Sequence, residues 1–213
     1  MFVKDFMTND PIVISPQASI SSVADLMKKN GLKRLPVLDC DTLVGLVTEA
    51  DLMKALPSPA TTLSKHEINY LTSKITVDDI MSTKVITTTP NTTVEEAVMV
   101  MRHHDIGCLP VLEDQKIAGI ITESNVFEAL TRLLGLHRAG LRITVQVQDK
   151  LGVLAELTSI IRDLGITIIS VVSFPSVNNS GTLIFRLATG DAESVIKAIE
   201  AYHFTVLHWT TLN

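Results

Sequence analysis

Two stretches of the chain place the same residue types in the same order: Gly45-Leu46-Val47-Thr48-Glu49-Ala50-Asp51 and Gly119-Ile120-Ile121-Thr122-Glu123-Ser124-Asn125. In each, a glycine opens a short apolar strand, a hydroxyl stands where a helix begins, and an acid or amide follows three residues on. A helix N-terminus presents unpaired N–H groups and a partial positive charge, which suit a phosphate. A carboxylate one turn in can accept from two adjacent ribose hydroxyls. The same spacing also describes an ordinary capping arrangement, in which the threonine and the acid satisfy local backbone groups. One copy alone leaves the two readings evenly balanced.

Other reactive residues are less well placed. Arg102-His103-His104-Asp105 are successive residues on a helix, whose side chains do not converge, so they read as a solvated helix end, with a phosphate contact from one histidine as the alternative. His66-Glu67 lacks the second histidine of a zinc-hydrolase helix. His203 and His208 have no acidic or cysteine partner at metal spacing. Cys40 and Cys108 form no CxxC pair, so neither a zinc site nor a disulfide framework is expected. Met27, Met53, Met99 and Met101 read as core or groove filler. With no Ser-His-Asp set, P-loop or dinucleotide fingerprint in view, we expect no catalytic residue, no metal site and no enzyme activity.

Composition agrees with a packed globular chain: 213 residues, 46% hydrophobic and 19% charged. No apolar run approaches the roughly 18 residues that cross a bilayer, and the N-terminus lacks signal-peptide features. A cytoplasmic protein is expected. The formal charge of −5 and the 4% aromatic content speak against nucleic-acid binding.

The elements that position the two motifs repeat as well. At a shift of 74 residues Asp5 falls on Asp79, Pro16 on Pro90, Leu35-Pro36-Val37-Leu38 on Leu109-Pro110-Val111-Leu112, and Gly45 on Gly119, without a gap. Each copy predicts a strand (Ile12 to Ser15; Val85 to Thr88) and then a helix capped at Ala18-Ser19 or Thr92-Thr93. Helical apolar spacing follows at Ile20, Val23, Ala24 and Met27, and at Val94, Ala97, Val98 and Met101. Two strands come next (Leu35 to Leu38 and Leu43 to Val47; Leu109 to Leu112 and Ile117 to Ile121). A second helix runs from Glu49 to Leu56, or from Glu123 to Leu130. One such unit is too small to bury its sheet, which explains the pairing. Pro57-Ser58-Pro59 breaks the chain between copies, and Ser64 to Lys74 predicts a short connecting helix.

After Gly135 to Gly140 the rhythm changes. Leu141, Ile143, Val145 and Val147 alternate with polar residues as a strand. Val153, Leu154, Leu157, Ile160, Ile161 and Leu164 trace a helix closed by Gly165. Strands Ile166 to Phe174 and Thr182 to Ala188 flank a turn at Asn178 to Gly181. A helix capped by Asp191 and a strand from Phe204 to Thr211 complete a β-α-β-β-α-β order, the ferredoxin-like plan.

On Met-Thr/Ser near each start, Leu-Pro-Val in the middle and the Gly-to-Asp/Asn stretch at the end, the repeats resemble a tandem pair of CBS domains, a Bateman module. The resemblance covers about Val3 to Leu134. It implies a fold class of α/β (α+β) with two clefts for adenosine-type ligands: an adenine nucleotide (AMP, ADP or ATP) or S-adenosylmethionine. By that resemblance Thr48 contacts phosphate or ribose, Asp51 the ribose hydroxyls, and Leu46 the adenine. Thr122, Asn125 and Ile120 take these roles in the second cleft. Each cleft borrows from the other copy, with candidates around Asn9 to Ile12, around Thr83 to Ile86, and just before each Leu-Pro-Val. Lys33 and Arg34 stand there in one copy, Gly107 and Cys108 in the other. Asn125 is a neutral and weaker acceptor than Asp51, so unequal affinities are expected, with the Asp51 cleft the tighter.

The last part, with Asp149-Lys150-Leu151-Gly152-Val153-Leu154 between strand and helix, resembles an ACT domain. That implies a ligand, often an amino acid, near Leu151, Gly152 and Val153. The facing strand from Ile166 to Ser170 lacks the polar group such binders place there, which favours dimerisation over binding. The expected domains are 1–60 and 78–135 for the CBS copies, 61–77 for the linker and 141–213 for the ACT domain. That order resembles the acetoin-utilisation protein B group of bacterial regulators. It implies a homodimeric sensor acting on acetoin or acetate metabolism through a partner enzyme. The alternative is an architectural subunit whose clefts bind nothing.

Overall fold

The computed structural model describes residues 1–55, 74–148, 150–177 and 180–212. The expected connecting helix from Ser64, the end of the first copy at Leu56, His66-Glu67, Asp149 and the Asn178-Asn179 turn lie outside them. Residues 1–127 and 128–213 form two compact units.

In the first unit each copy contributes an amphipathic helix, an antiparallel hairpin and a following helix. The first has α1 (Ile20–Asn30), β2 (Arg34–Asp39), β3 (Thr42–Thr48) and α2 (Glu49–Ala55), preceded by a two-residue β1 (Thr8–Asn9). The second has α3 (Val94–His104), β4 (Cys108–Glu113), β5 (Lys116–Thr122) and α4 (Glu123–Leu133). Helix α1 starts at Ser19, whose side chain accepts from the Ser22 N–H, and stops at Gly31 in the left-handed conformation. Helix α3 starts at Thr93 with a full capping box to Glu96.

The two copies are completed by exchange. Val3, in a single helical turn at Val3–Asp5, is buried with Ala97, Met101, Leu109, Val111 and Ile121 of the second copy. Val77, in the matching turn Val77–Asp79, is buried with Ile20, Val23, Leu35, Val37 and Val47 of the first. The β1 residues Thr8 and Asn9 pair with Ile120 and Gly119 on β5, and Ser82 bridges Leu46 on β3. Met7 and Met81 therefore lie against Gly119 and Gly45, where a Cβ would meet the methionine side chains. The glycine of each motif sits inside its strand rather than at the start, and leaves room for the other copy to approach.

The strands expected at Ile12 to Ser15 and Val85 to Thr88 shrink to single parallel bridges, Ile14 to Val37 and Thr88 to Val111. The reason is chemical. The Ile14 N–H donates to the Pro36 carbonyl and its carbonyl accepts from Leu38, with Thr88, Pro110 and Leu112 matching. One step further back the ladder would need an N–H from Pro36 or Pro110, which neither has.

The second unit is a four-stranded sheet in the order β7 (Ile168–Val177), β8 (Ser180–Leu187), β6 (Gly140–Gln148), β9 (Thr205–Leu212). Helices α5 (Val153–Asp163) and α6 (Ala192–Ala201) complete the expected β-α-β-β-α-β order. Leu157, Ile160, Ile161, Val195 and Ile199 pack on Leu141, Ile143, Val145, Leu183, Phe185 and Leu187. Helix α5 ends one residue before the expected Leu164, with Gly165 left-handed beyond it. Strand β7 starts two residues later than expected, and a bulge displaces its register between Ile168 and Ser170.

Candidate functional site

The two motifs form the same local structure. Asp51 Oδ2 accepts from the Thr48 N–H at 3.0 Å and from Thr48 Oγ1 at 2.6 Å, and the Asp51 N–H donates to Thr48 Oγ1 at 3.3 Å. Asn125 Oδ1 accepts from the Thr122 N–H at 2.8 Å and Oγ1 at 2.7 Å, and the Asn125 N–H donates to Thr122 Oγ1 at 3.4 Å. Both are capping boxes. The first helical N–H of each is also taken: Glu49 donates to the Lys33 carbonyl and Glu123 to the Gly107 carbonyl. These bonds fix each helix start against the residues that precede a Leu-Pro-Val strand.

Each helix start opens on a cleft that both copies line. The first cleft, about 450 Å³, is walled by Leu46, Thr48, Glu49 and Ala50, with Ser82 and Lys84 to Ile86 opposite, Asp105 to Cys108 at one end, and Lys33 and Arg34. The second, about 590 Å³, is walled by Ile120 and Thr122 to Asn125, with Thr8 and Asp10 to Ile12 opposite and Asn30 to Pro36 beside them. Of the residues singled out in the sequence, Leu46, Thr48 and Ile86 meet in the first cleft, Ile12, Ile120, Thr122 and Asn125 in the second, and Lys33 and Arg34 in both. Asp51, Asn9 and Thr83 line neither; Asp51 is turned onto Thr48, and Asn9 is paired with Gly119.

Asp10 and Lys84 lie within the expected flanks Asn9 to Ile12 and Thr83 to Ile86, whereas Thr8 and Ser82, one residue outside them, and Asp105, read as a solvated helix end, were missed. The internal repeat ties these flanks together: at the 74-residue shift Thr8 falls on Ser82 and Asp10 on Lys84. The last pair reverses charge. Lys84 gives the first cleft a third cation beside Lys33 and Arg34, where the second has the Asp10 carboxylate.

Arg34 stands where the clefts meet. Its Nη2 lies 3.3 Å from Glu123 Oε2, an ion pair with the arginine side chain 26% exposed. Gly107 makes room for this pair, since a Cβ there would strike the guanidinium and the carboxylate. The neighbouring Cys108 thiol is buried, and that burial pushes its pKa up to about 11, against a smaller lowering by Arg34. It therefore remains a neutral thiol at physiological pH.

In the second unit Gly152 caps α5 in the left-handed conformation, Leu151 is fully exposed and Val153 is half-buried. None of the three lines a groove of about 880 Å³ in this unit, formed by Gln146, Gln148, Lys150, Glu156, Ser180 and Tyr202 to Thr205 among others. Among the described residues no group of three or more His, Cys, Asp or Glu could hold a metal ion, and no helix is long and apolar enough to cross a membrane.

The CBS domain model matches residues 3–58 and 77–132, and the ACT domain model matches residues 141–204. A solved structure of a candidate acetoin utilization protein (AcuB) from Vibrio cholerae is 28% identical, with a TM-score of 0.54 over 64% of this chain and 95% of its own. CBSX2 in complex with AMP is 29% identical, with a TM-score of 0.53 over 62% of this chain and 97% of its own. The CBS domain pair of protein MJ0100, in complex with 5'-methylthioadenosine and S-adenosyl-L-methionine, is 28% identical, with a TM-score of 0.51 over 61% of this chain and 95% of its own. The chain spans 46% of the length of a curated relative from Methanocaldococcus jannaschii, to which it is 33% identical over 129 residues.

Proposed function

Since the chain belongs to the CBS-domain family, a tandem pair followed by an ACT domain, we propose that it is a regulatory sensor whose two clefts bind adenosine ligands. One observation carries the reading: two clefts of nucleoside size, each with an apolar wall (Leu46 or Ile120), a threonine at a helix start and cations within reach. The AMP complex of CBSX2 and the S-adenosyl-L-methionine complex of the MJ0100 pair support that ligand class.

The clefts would differ in kind. In the first, Lys84, Lys33 and Arg34 favour ligands carrying more phosphate, and Ala50 lies between the two committed amides of the helix start. In the second, Asp10 offers an acceptor to ribose hydroxyls. Asp51 and Asn125 are held alike, each with one oxygen accepting from its own threonine, so the caps do not decide between the clefts for ribose contact. A regulatory rather than catalytic role, a homodimer, an amino acid at the ACT domain and control of acetoin or acetate metabolism through a partner enzyme complete the reading. The likeness to AcuB supports the last of these.

A rival reading rests on the capping boxes, which engage Asp51 and Asn125 without any ligand and would persist in a purely architectural pair. Calorimetric titration with AMP, ADP, ATP, S-adenosylmethionine and NADH separates the two. Two binding events of unequal affinity are expected, the first cleft ranking ATP above AMP. Absence of binding below millimolar concentration by all five leaves only the architectural role.

A further inference from the structure

On the face of the second unit's sheet that turns away from α5 and α6, strand register sets Ser170, Arg186, Arg142 and Thr210 in one row across all four strands. Arg186 is only 4% exposed. Its Nη2 donates to the Arg138 carbonyl at 2.7 Å, while Nε and Nη1 have no acceptor among the described residues. Arg142, half-buried on β6, gives one N–H to Thr144 Oγ1 at 3.0 Å. Residues paired directly across two strands hold their Cβ atoms about 5 Å apart, so these two guanidinium groups share one neighbourhood. The row holds no carboxylate, and the next one adds Thr144 and His208 rather than an acid.

An arginine stays charged at any physiological pH, and a buried charge without a partner is among the costlier arrangements in a protein. A second cation directly across the ladder adds repulsion. Both costs vanish if one oxyanion lies between the pair, because the fork of a guanidinium matches two oxygens of a phosphate or carboxylate. The segment Gly135 to Gly140, left-handed at both glycines, is tied down by Ser170 Oγ to the Leu134 carbonyl and by Arg186 to that of Arg138. The half-buried Arg142 is the side open to solvent.

We propose that Arg186 and Arg142 form a binding site for a small oxyanion, a phosphate or carboxylate group, separate from the two clefts of the CBS pair. The test uses the full chain with labelled arginine side chains, inorganic phosphate and acetate as probes, and constant ionic strength. Arg186 Nε–H gives a signal identified by its loss in Arg186→Lys. That signal should shift saturably with phosphate, acetate or both, and the preferred anion names the group. The melting temperature should rise with the same anion, and Arg186→Met should abolish the rise while leaving AMP titration unchanged. The proposal is overturned if neither anion moves the Arg186 signal, or if Arg186→Met protein is stabilised by the anion as much as the native chain. Because AMP binding is read separately, loss of this site and loss of the nucleotide reading are distinguishable.

Discussion

Lys84 and Asp10 occupy equivalent positions of the repeat and face opposite clefts with opposite charge. Replacing Lys84 by alanine should weaken ATP in the first cleft roughly ten- to hundredfold, since a charge-assisted contact is worth about 1.5–3 kcal/mol. AMP should lose less, and raised salt should narrow the difference between native and variant; calorimetry at two ionic strengths reads both. Equal losses for AMP and ATP would show that Lys84 does not meet the outer phosphates. Gly45 and Gly119 make a second matched pair. A Cβ at Gly45 meets only the flexible Met81 side chain, whereas one at Gly119 also meets the Thr8 carbonyl, which is backbone. Gly119→Ala should therefore cost more stability than Gly45→Ala, in the overpacking range of about 1–3 kcal/mol, and paired denaturant titrations would show the order. Cys108 adds a pH dependence. Its thiol is raised from 9.0 to about 11 in the folded chain. The neutral form is thus favoured by folding: that stability is complete below pH 9 and is lost as pH rises towards 11. Thiol-reagent kinetics at neutral pH should label exposed Cys40 and leave buried Cys108 unreacted.

The helix starts show how one local device serves different ends. Thr93 with Glu96 and Thr76 with Asp79 are capping boxes of the same build as Thr48 with Asp51. Hydrogen bonds from Thr93 and Thr76, backbone first, hold the Glu96 and Asp79 carboxyls below the ordinary carboxylate range. A depressed folded pKa means stability that is present above the unfolded pKa and lost as pH falls through the folded one. Glu96→Gln should therefore flatten the acid limb of the stability curve, and Thr93→Ala should cost about 1 kcal/mol at neutral pH. This identity of build explains why the motif alone was ambiguous in the sequence: a cap and a ribose contact need the same residues at the same spacing. Hydrophobic periodicity placed α1, α3, α5 and α6, because apolar spacing follows directly from which face is buried. The Ile12 and Val85 strands were not legible as single bridges. Their length is decided by Pro36 and Pro110 on another strand, which no local window contains. Thr8 and Ser82 stayed outside the expected flanks for the same reason, since each joins a cleft built on the other copy.

At the scale of the molecule, the exchange of Val3 and Val77 makes stability non-local. Val3→Ala, which removes buried methyl groups from a fully buried position, should loosen the second copy before the first. Hydrogen exchange should show β4 and β5 losing protection while β2 and β3 keep theirs; the reverse pattern would contradict the exchanged packing. The same feature governs how the chain can be made. Val3 belongs to a core that closes only once the second copy is made, and the first copy waits for Val77 before it can close. Neither half is a self-sufficient product of its own stretch of gene. A cut between the copies yields two fragments, each lacking the piece the other carries. The duplication, so regular when read along the sequence, is thus a single inseparable folding commitment.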